Sequence, residues 1–165
     1  MIAIRRAKAD DWPALWSIIE PVFRAGETYA VAVDIEEADA RALWLDKPVA
    51  TFVAVNAADG AVLGSYFLKF NQPGGGNHVC NCGYIVDGAA RGRGVASALC
   101  EHSQREAIAL GFRAMQYNLV VATNTGAIRL WQRNGFEIAG RLPGAFRHPT
   151  EGEVDALVMY KRLAD

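Results

Sequence analysis

The chain has 165 residues, 52% hydrophobic and 21% charged, a globular composition that excludes a disordered one. Seventeen basic against eighteen acidic side chains leave a formal charge of −1. That argues against a general nucleic-acid binder while leaving room for one local phosphate site. No stretch approaches the roughly 18 apolar residues of a membrane span, and Asp10 and Asp11 stand where a signal peptide needs its apolar run. The expectation is one cytoplasmic domain over residues 1–165, with Cys80, Cys82 and Cys100 too few and too odd for a disulfide framework.

Residues 2–5 read as a short opening strand. Asp10 offers an N-cap and Pro13 a first-turn proline for the helix that follows. Trp12, Leu15, Trp16, Ile19 and Phe23 recur at helical spacing until Gly26 stops the run. Glu27, Thr28 and Tyr29 open a polar loop, and Asp34 with Glu37 forms a capping box for a second helix ending near Asp46. Residues 49–55 and 61–70, joined by turn chemistry, read as a hairpin, and 78–86 continues the meander. Residues 95–110 read as an amphipathic helix, 115–122 as a strand and 125–133 as a short helix stopped at Asn134-Gly135. Residues 136–141 and 154–162 are closing strands, and Pro143, Gly144 and Pro149 mark the segment between them. The expected class is α+β: a mixed, mostly antiparallel sheet of about seven strands with about four helices. Only the join across the Val95 helix demands a parallel crossover, and the sheet is expected to splay beside it.

The loop Arg91-Gly92-Arg93-Gly94-Val95-Ala96 joins that strand to that helix. First-turn N–H groups of a helix lack intrahelical acceptors, and the dipole adds partial positive charge, so the loop is an anion site in outline. Two glycines let a ligand approach the backbone closely. By itself a Gly-x-Gly turn joining strand to helix is an unspecific feature.

Arg91-x-x-Gly94-x-Ala96 resembles the pyrophosphate loop of the GNAT N-acetyltransferases, written Q/R-x-x-G-x-G/A. Asn124, followed by residues 127–136 ending in Gly135-Phe136, resembles their second signature. Residues 78–84, with Asn118 and Asn124, and residues 142–149 resemble the proline-analogue acetyltransferases, which act on azetidine-2-carboxylate and related imino acids. The resemblance implies acetyl-CoA as co-substrate, without metal. Its pyrophosphate would lie on Arg91, Arg93, Gly94, Val95, Ala96, Ser97 and Ala98, its pantetheine along Tyr84, Ile85 and Val86, with Asn124 reaching it from the far side. A small-molecule amine is the implied acceptor, held near Glu27, Thr28 and Tyr29, with Arg147 and His148 as candidates for a carboxylate.

Two positions depart from the family pattern. Many relatives carry a Glu where this chain has Asn81, and an amide takes no proton at neutral pH. Asn81 is then a substrate-positioning residue, with Asn118 beside it if the two line adjacent strands. Many relatives carry a Tyr where Trp131 stands; Tyr84 and Tyr117 are candidate replacements, and no residue is assigned as general acid. A non-catalytic acyl-CoA-binding module, and an acetyltransferase acting on a protein N-terminus or another amine, stay open as alternatives. A homodimer through the hairpin or closing strands also stays open. Zinc on His78, Cys80 and Cys82 is disfavoured, because residues two apart on a strand stand about 6.5–7 Å apart, too far for thiolates sharing one ion.

Overall fold

The computed structural model describes residues 1–164. Its strands are β1 (Ile2–Arg6), β2 (Ala50–Asn56), β3 (Val62–Phe70), β4 (Val79–Val86), β5 (Ala114–Val121), β6 (Glu137–His148) and β7 (Gly152–Arg162). The helices are α1 (Trp12–Ala25), α2 (Glu37–Arg41), α3 (Val95–Ala109) and α4 (Thr125–Arg133). All seven strands join one sheet in the order β1-β2-β3-β4-β5-β7-β6. Every pairing is antiparallel except β4 with β5, the join that α3 makes. This is the expected α+β architecture.

Alternation along the strands divides the apolar residues between two faces. On one face Leu15, Ile19 and Phe23 of α1, with Trp44, cover Val53, Phe67 and Ile85. On the other, Leu99 and Cys100 of α3 and Leu130 and Trp131 of α4 cover Tyr66, Leu68, Cys82, Met115 and Tyr117.

Three boundaries differ from the sequence expectations. Asp10 does not cap α1: residues Ala9–Asp11 form a 3₁₀ turn, and the Asp11 carboxylate instead accepts from the Lys8 amide at 2.7 Å and from Arg5. Asp34 does not cap α2, which starts at Glu37 after Glu36; Glu37 accepts the Trp12 indole N–H at 2.9 Å. That helix widens into a π-helical turn, Ala42–Asp46. Trp44, within it, is held at both ends, its Nε1–H donating to Ser65 at 3.0 Å and its carbonyl accepting from Thr51 at 2.7 Å. Finally, β6 does not stop at Arg141. It runs to His148 through a bulge between Leu142 and Phe146, where Gly144, at φ 60°, donates its N–H to Asp155. Pro143 is tolerated because β6 is the sheet's edge strand.

Under α3 the Tyr66 hydroxyl lies 2.7 Å from His102 Nδ1, and His102 Nε2 lies 3.8 Å from Glu106. Burial pushes the Tyr66 pKa up, so the phenol stays protonated beside the imidazole. Burial pulls the His102 pKa down, opposed by Glu106. With the folded pKa depressed, stability is fully present above the unfolded value near 6.5 and is lost as pH falls through the folded one. Wild-type Tm should therefore fall more steeply below about pH 6.5 than that of His102→Gln; parallel Tm–pH curves would contradict the assignment.

Candidate active site at the gap between two strands

β4 and β5 pair only over Val79–Ala114, Cys80–Met115 and Asn81–Gln116, and then separate. The direction of the unpaired groups follows from their neighbours. The Val79 carbonyl accepts from Asn71 on the β3 side and the His78 carbonyl from Arg113 on the β5 side. Carbonyls alternate along an extended strand, so the even-numbered residues of β4 turn their backbone groups toward β5. Beyond Asn81 those of Tyr84 and Val86 consequently face the gap without a strand partner. Ile85 turns its own toward β3 and buries its side chain beneath α1.

Val86 leads into the anion loop. Gly92 and Gly94 have φ of 75° and 79°, and a Cβ on either would point into open space. A non-glycine residue would be strained at both. Gly94 is the N-cap of α3 and no side chain caps the helix, so the N–H groups of Val95, Ala96 and Ser97 are left for an external acceptor, while Ala98 N–H already bonds Gly94. Arg91 and Arg93 are exposed and have no carboxylate within 4 Å among the described residues. The donor set suits a pyrophosphate: backbone amides at a helix start with two guanidinium groups beside them.

On the α1 face, Asn81 Nδ2 donates to the Gln116 carbonyl at 3.0 Å, which turns Asn81 Oδ1 outward as an acceptor. Gln116 Nε2 donates to Asn118 Oδ1 at 3.0 Å. Three carboxamides thus line the base of the gap. Gln116 was not singled out from sequence, although its period-two spacing from Asn118 is the signal that finds it. Tyr29 reaches over Gly83 and donates its hydroxyl to the Tyr84 carbonyl at 2.7 Å, its ring packed against Phe23 and Trp44. Glu27 and Thr28 share a cleft of about 210 Å³ with Val22, Val86 and Arg91. Arg147 is not brought to this group. It pairs with Glu153 at 3.6 Å, seven residues along β7 from Tyr160, the residue level with Gln116, or roughly 23 Å of strand.

The opposite face of the gap is aromatic. Trp131 lies 4.7 Å from the Tyr84 ring and 5.0 Å from that of Tyr117, and Phe136 stacks on Tyr117 at 4.4 Å. Ser103 donates to the Cys100 carbonyl, so Tyr84 donates to Ser103 at 2.7 Å, and Tyr117 in turn to Tyr84 at 3.0 Å. Burial pushes both phenols well up, and both belong to an internal chain. Asn124 caps α4, its Oδ1 accepting from Ala127 at 3.4 Å. Gly135 ends α4 at φ 86°, where Lys161 Nζ would stand 3.2 Å from a Cβ; Lys161 donates to the Asn134 carbonyl and to Gln104. The glycine and phenylalanine of the second signature are therefore a left-handed helix end and the plug beneath Tyr117.

The cysteines sit in the same interior. Burial pushes Cys80 up to about 12, Cys100 up to about 11, and Cys82 up as well. Among the described residues no group of three His, Cys, Asp or Glu side chains could hold a metal. All three thiols should resist a disulfide reagent in the native protein at neutral pH and react after denaturation in guanidinium; a rapidly reacting native thiol would contradict this burial.

Comparison with known proteins bears on the same residues. A model of the acetyltransferase (GNAT) family matches residues 12–136. A GCN5-related N-acetyltransferase from Kribbella flavida is 45% identical, with a TM-score of 0.92 over 98% of this chain and 97% of that one. N-acetyltransferase aca1 of Schizosaccharomyces pombe is 38% identical over 99 residues, 59% of this chain; the match spans only 47% of that relative. A phosphinothricin acetyltransferase from Sinorhizobium meliloti, solved in complex with AcCoA, shares the fold at 21% identity, with a TM-score of 0.87 over 99% of this chain and 89% of that one. No helix among the described residues is long and apolar enough to cross a membrane. With the family model matched across both signatures, the chain belongs to the acetyltransferase (GNAT) family.

Proposed function

We propose that this protein transfers the acetyl group of acetyl-CoA to the amine of a small molecule, by direct attack in a ternary complex. The observation that carries the reading is an uncapped, glycine-lined helix start opening onto a gap edged by unpaired β4 backbone. Acetyl-CoA supplies the thioester carbon that the amine attacks. Its diphosphate takes the N–H groups of Val95, Ala96 and Ser97 with Arg91 and Arg93, and its pantetheine amides take the backbone of Tyr84 and Val86. Asn124 contributes its free Nδ2 from the head of α4.

Asn81 presents Oδ1 to an N–H of the acceptor and so orients the nitrogen lone pair. It takes no proton. With an ordinary pKa near ~10.4 an amine is neutral about one time in 10³–10⁴ at pH 7, an offset of roughly 4–5 kcal/mol. The acceptor either arrives neutral or loses its proton to water. The leaving thiolate, of ordinary thiol pKa near ~8.5, departs without a dedicated acid. A cyclic imino acid such as a proline analogue is the acceptor we infer, on the strength of the carboxamide group Asn81, Gln116 and Asn118. Glu27, Thr28 and Tyr29 close the pocket from the α1 side. An acetyl-CoA-dependent reaction and three unpaired thiols suit the cytoplasm.

Thiol release from acetyl-CoA, with azetidine-2-carboxylate and other amines as acceptors, tests this. Asn81→Ala should lower kcat/KM for the acceptor about tenfold or more while leaving CoA affinity unchanged, the scale of one hydrogen bond to a reacting group. Gly94→Val should abolish CoA binding. Binding of CoA without release from any amine would favour a non-catalytic acyl-CoA module instead.

We also infer a homodimer formed through β6, which ends the sheet, runs 12 residues and leaves Ile138 and Leu142 exposed at 44% and 42%. Light scattering should give twice the 17.9 kDa chain mass, and Ile138→Lys with Leu142→Lys should return the monomer. A wild-type monomer at high concentration would end that idea.

A further inference from the structure

Strand register places five side chains in one row across the α1 face. Lys69 pairs with Asn81, Asn81 with Gln116, Gln116 with Tyr160 and Tyr160 with Glu137. Each step is about 5 Å, and partners in register share a face. Lys69 is thus the cation directly across from the residue that holds the reacting amine. Its ammonium folds back over the Phe67 ring, 5.6 Å from the centroid. That ring lies flush on Gly83, where a Cβ would stand 2.6 Å from Phe67, with the Tyr29 hydroxyl 3.2 Å away. The ammonium therefore sits at the Phe67–Gly83 level of the sheet, just past the last β4–β5 pair at Asn81. No carboxylate lies within 4 Å of it among the described residues.

We propose that Lys69 determines acceptor specificity by binding the acceptor's carboxylate, so that the acceptors are amino or imino acids with the acid group on the carbon next to the nitrogen. The inference rests on the acetyl-transfer reading above. In an α-imino acid the nitrogen and the carboxylate are two bonds apart. A molecule giving its N–H to Asn81 Oδ1 then directs its carboxylate across one strand spacing, within reach of a lysine side chain. The ammonium adds attraction without a competing carboxylate to displace, and the Phe67 ring holds it in place. The neighbouring carboxamides are neutral and accept a zwitterion without repelling either end.

The test compares two acceptors in the thiol-release assay at saturating acetyl-CoA: azetidine-2-carboxylate and its uncharged 2-carboxamide. Lys69→Met should raise KM for the carboxylate about tenfold, the scale of one hydrogen bond to a charged group, with little change in kcat. KM for the carboxamide and for acetyl-CoA should not move, Lys69→Arg should restore the carboxylate, and Lys69→Glu should reverse the preference. Unchanged KM for the carboxylate in Lys69→Met, or an equal rise for both acceptors, would overturn the assignment. If the wild type turns over neither acceptor, the transfer reading fails on its own. Calorimetry of azetidine-2-carboxylate with the CoA-loaded protein then judges Lys69: heat lost in Lys69→Met supports it, while equal heat, or none in the wild type, overturns it.

Discussion

The constraint on which the rest depends is the parting of β4 from β5 one residue past Asn81. Backbone groups left without a partner inside a protein cost free energy, so the gap persists only because side chains on both faces hold it. On the α3–α4 face Trp131 sits against both Tyr84 and Tyr117, while their hydroxyls meet at 3.0 Å and continue to Ser103. This packed block keeps the two strands at side-chain distance where a ladder would bring them closer. On the α1 face Tyr29 satisfies one of the exposed carbonyls. β5 shifts register against β7 between Tyr117 and Val120, directly after its last pair with β4.

The two faces of the gap differ in chemistry. The aromatic face holds phenols and thiols whose burial raises every pKa, so they stay protonated at neutral pH, and the Tyr84 and Tyr117 hydroxyls are engaged with each other and with Ser103. The α1 face is made of carboxamides, which orient but do not titrate. On the proposed transfer reading, proton transfer is left to the solvent and the rate is gained from alignment, the term that positioning alone can supply. Charge flanks these faces: guanidinium groups at the anion loop, Glu27 at the cleft beside α1, and Lys69 and Glu137 at the ends of the cross-strand row.

Local signals made much of this legible. The period-two and helical patterns gave the order of elements, and Gly92 and Gly94 marked a loop open to close approach by a ligand; both turn out to take left-handed φ. What stayed hidden depended on partners far along the chain. Asp34 and Glu37 form a capping pattern, yet Glu37 is taken by Trp12, 25 residues earlier. Pro143 and Gly144 carry turn chemistry, yet Asp155 holds Gly144 inside a bulged edge strand. Tyr84 and Tyr117 look like free phenols until packing puts them in one buried chain. Arg147 looked close to the acceptor because its segment resembles a family motif, while register sets it far along β7. Lys69 and Gln116 gain meaning only once β3, β4 and β5 are aligned.

Gly83 shows how the same register explains a sequence pattern in packing terms. It faces α1 two residues after Asn81, and any side chain there would strike the Phe67 ring, a fully packed neighbour of Trp44. With no Cβ in the way, Phe67 drops onto the strand and Tyr29 passes over it to the Tyr84 carbonyl. The floor beside Asn81 is therefore flat and apolar, and Lys69 rests on that same ring. Substituting Gly83 would move Phe67, Tyr29 and Lys69 together. The spacing Asn81-x-Gly83 thus sets Asn81, the proposed amine-orienting group, beside the packed ring that carries Lys69.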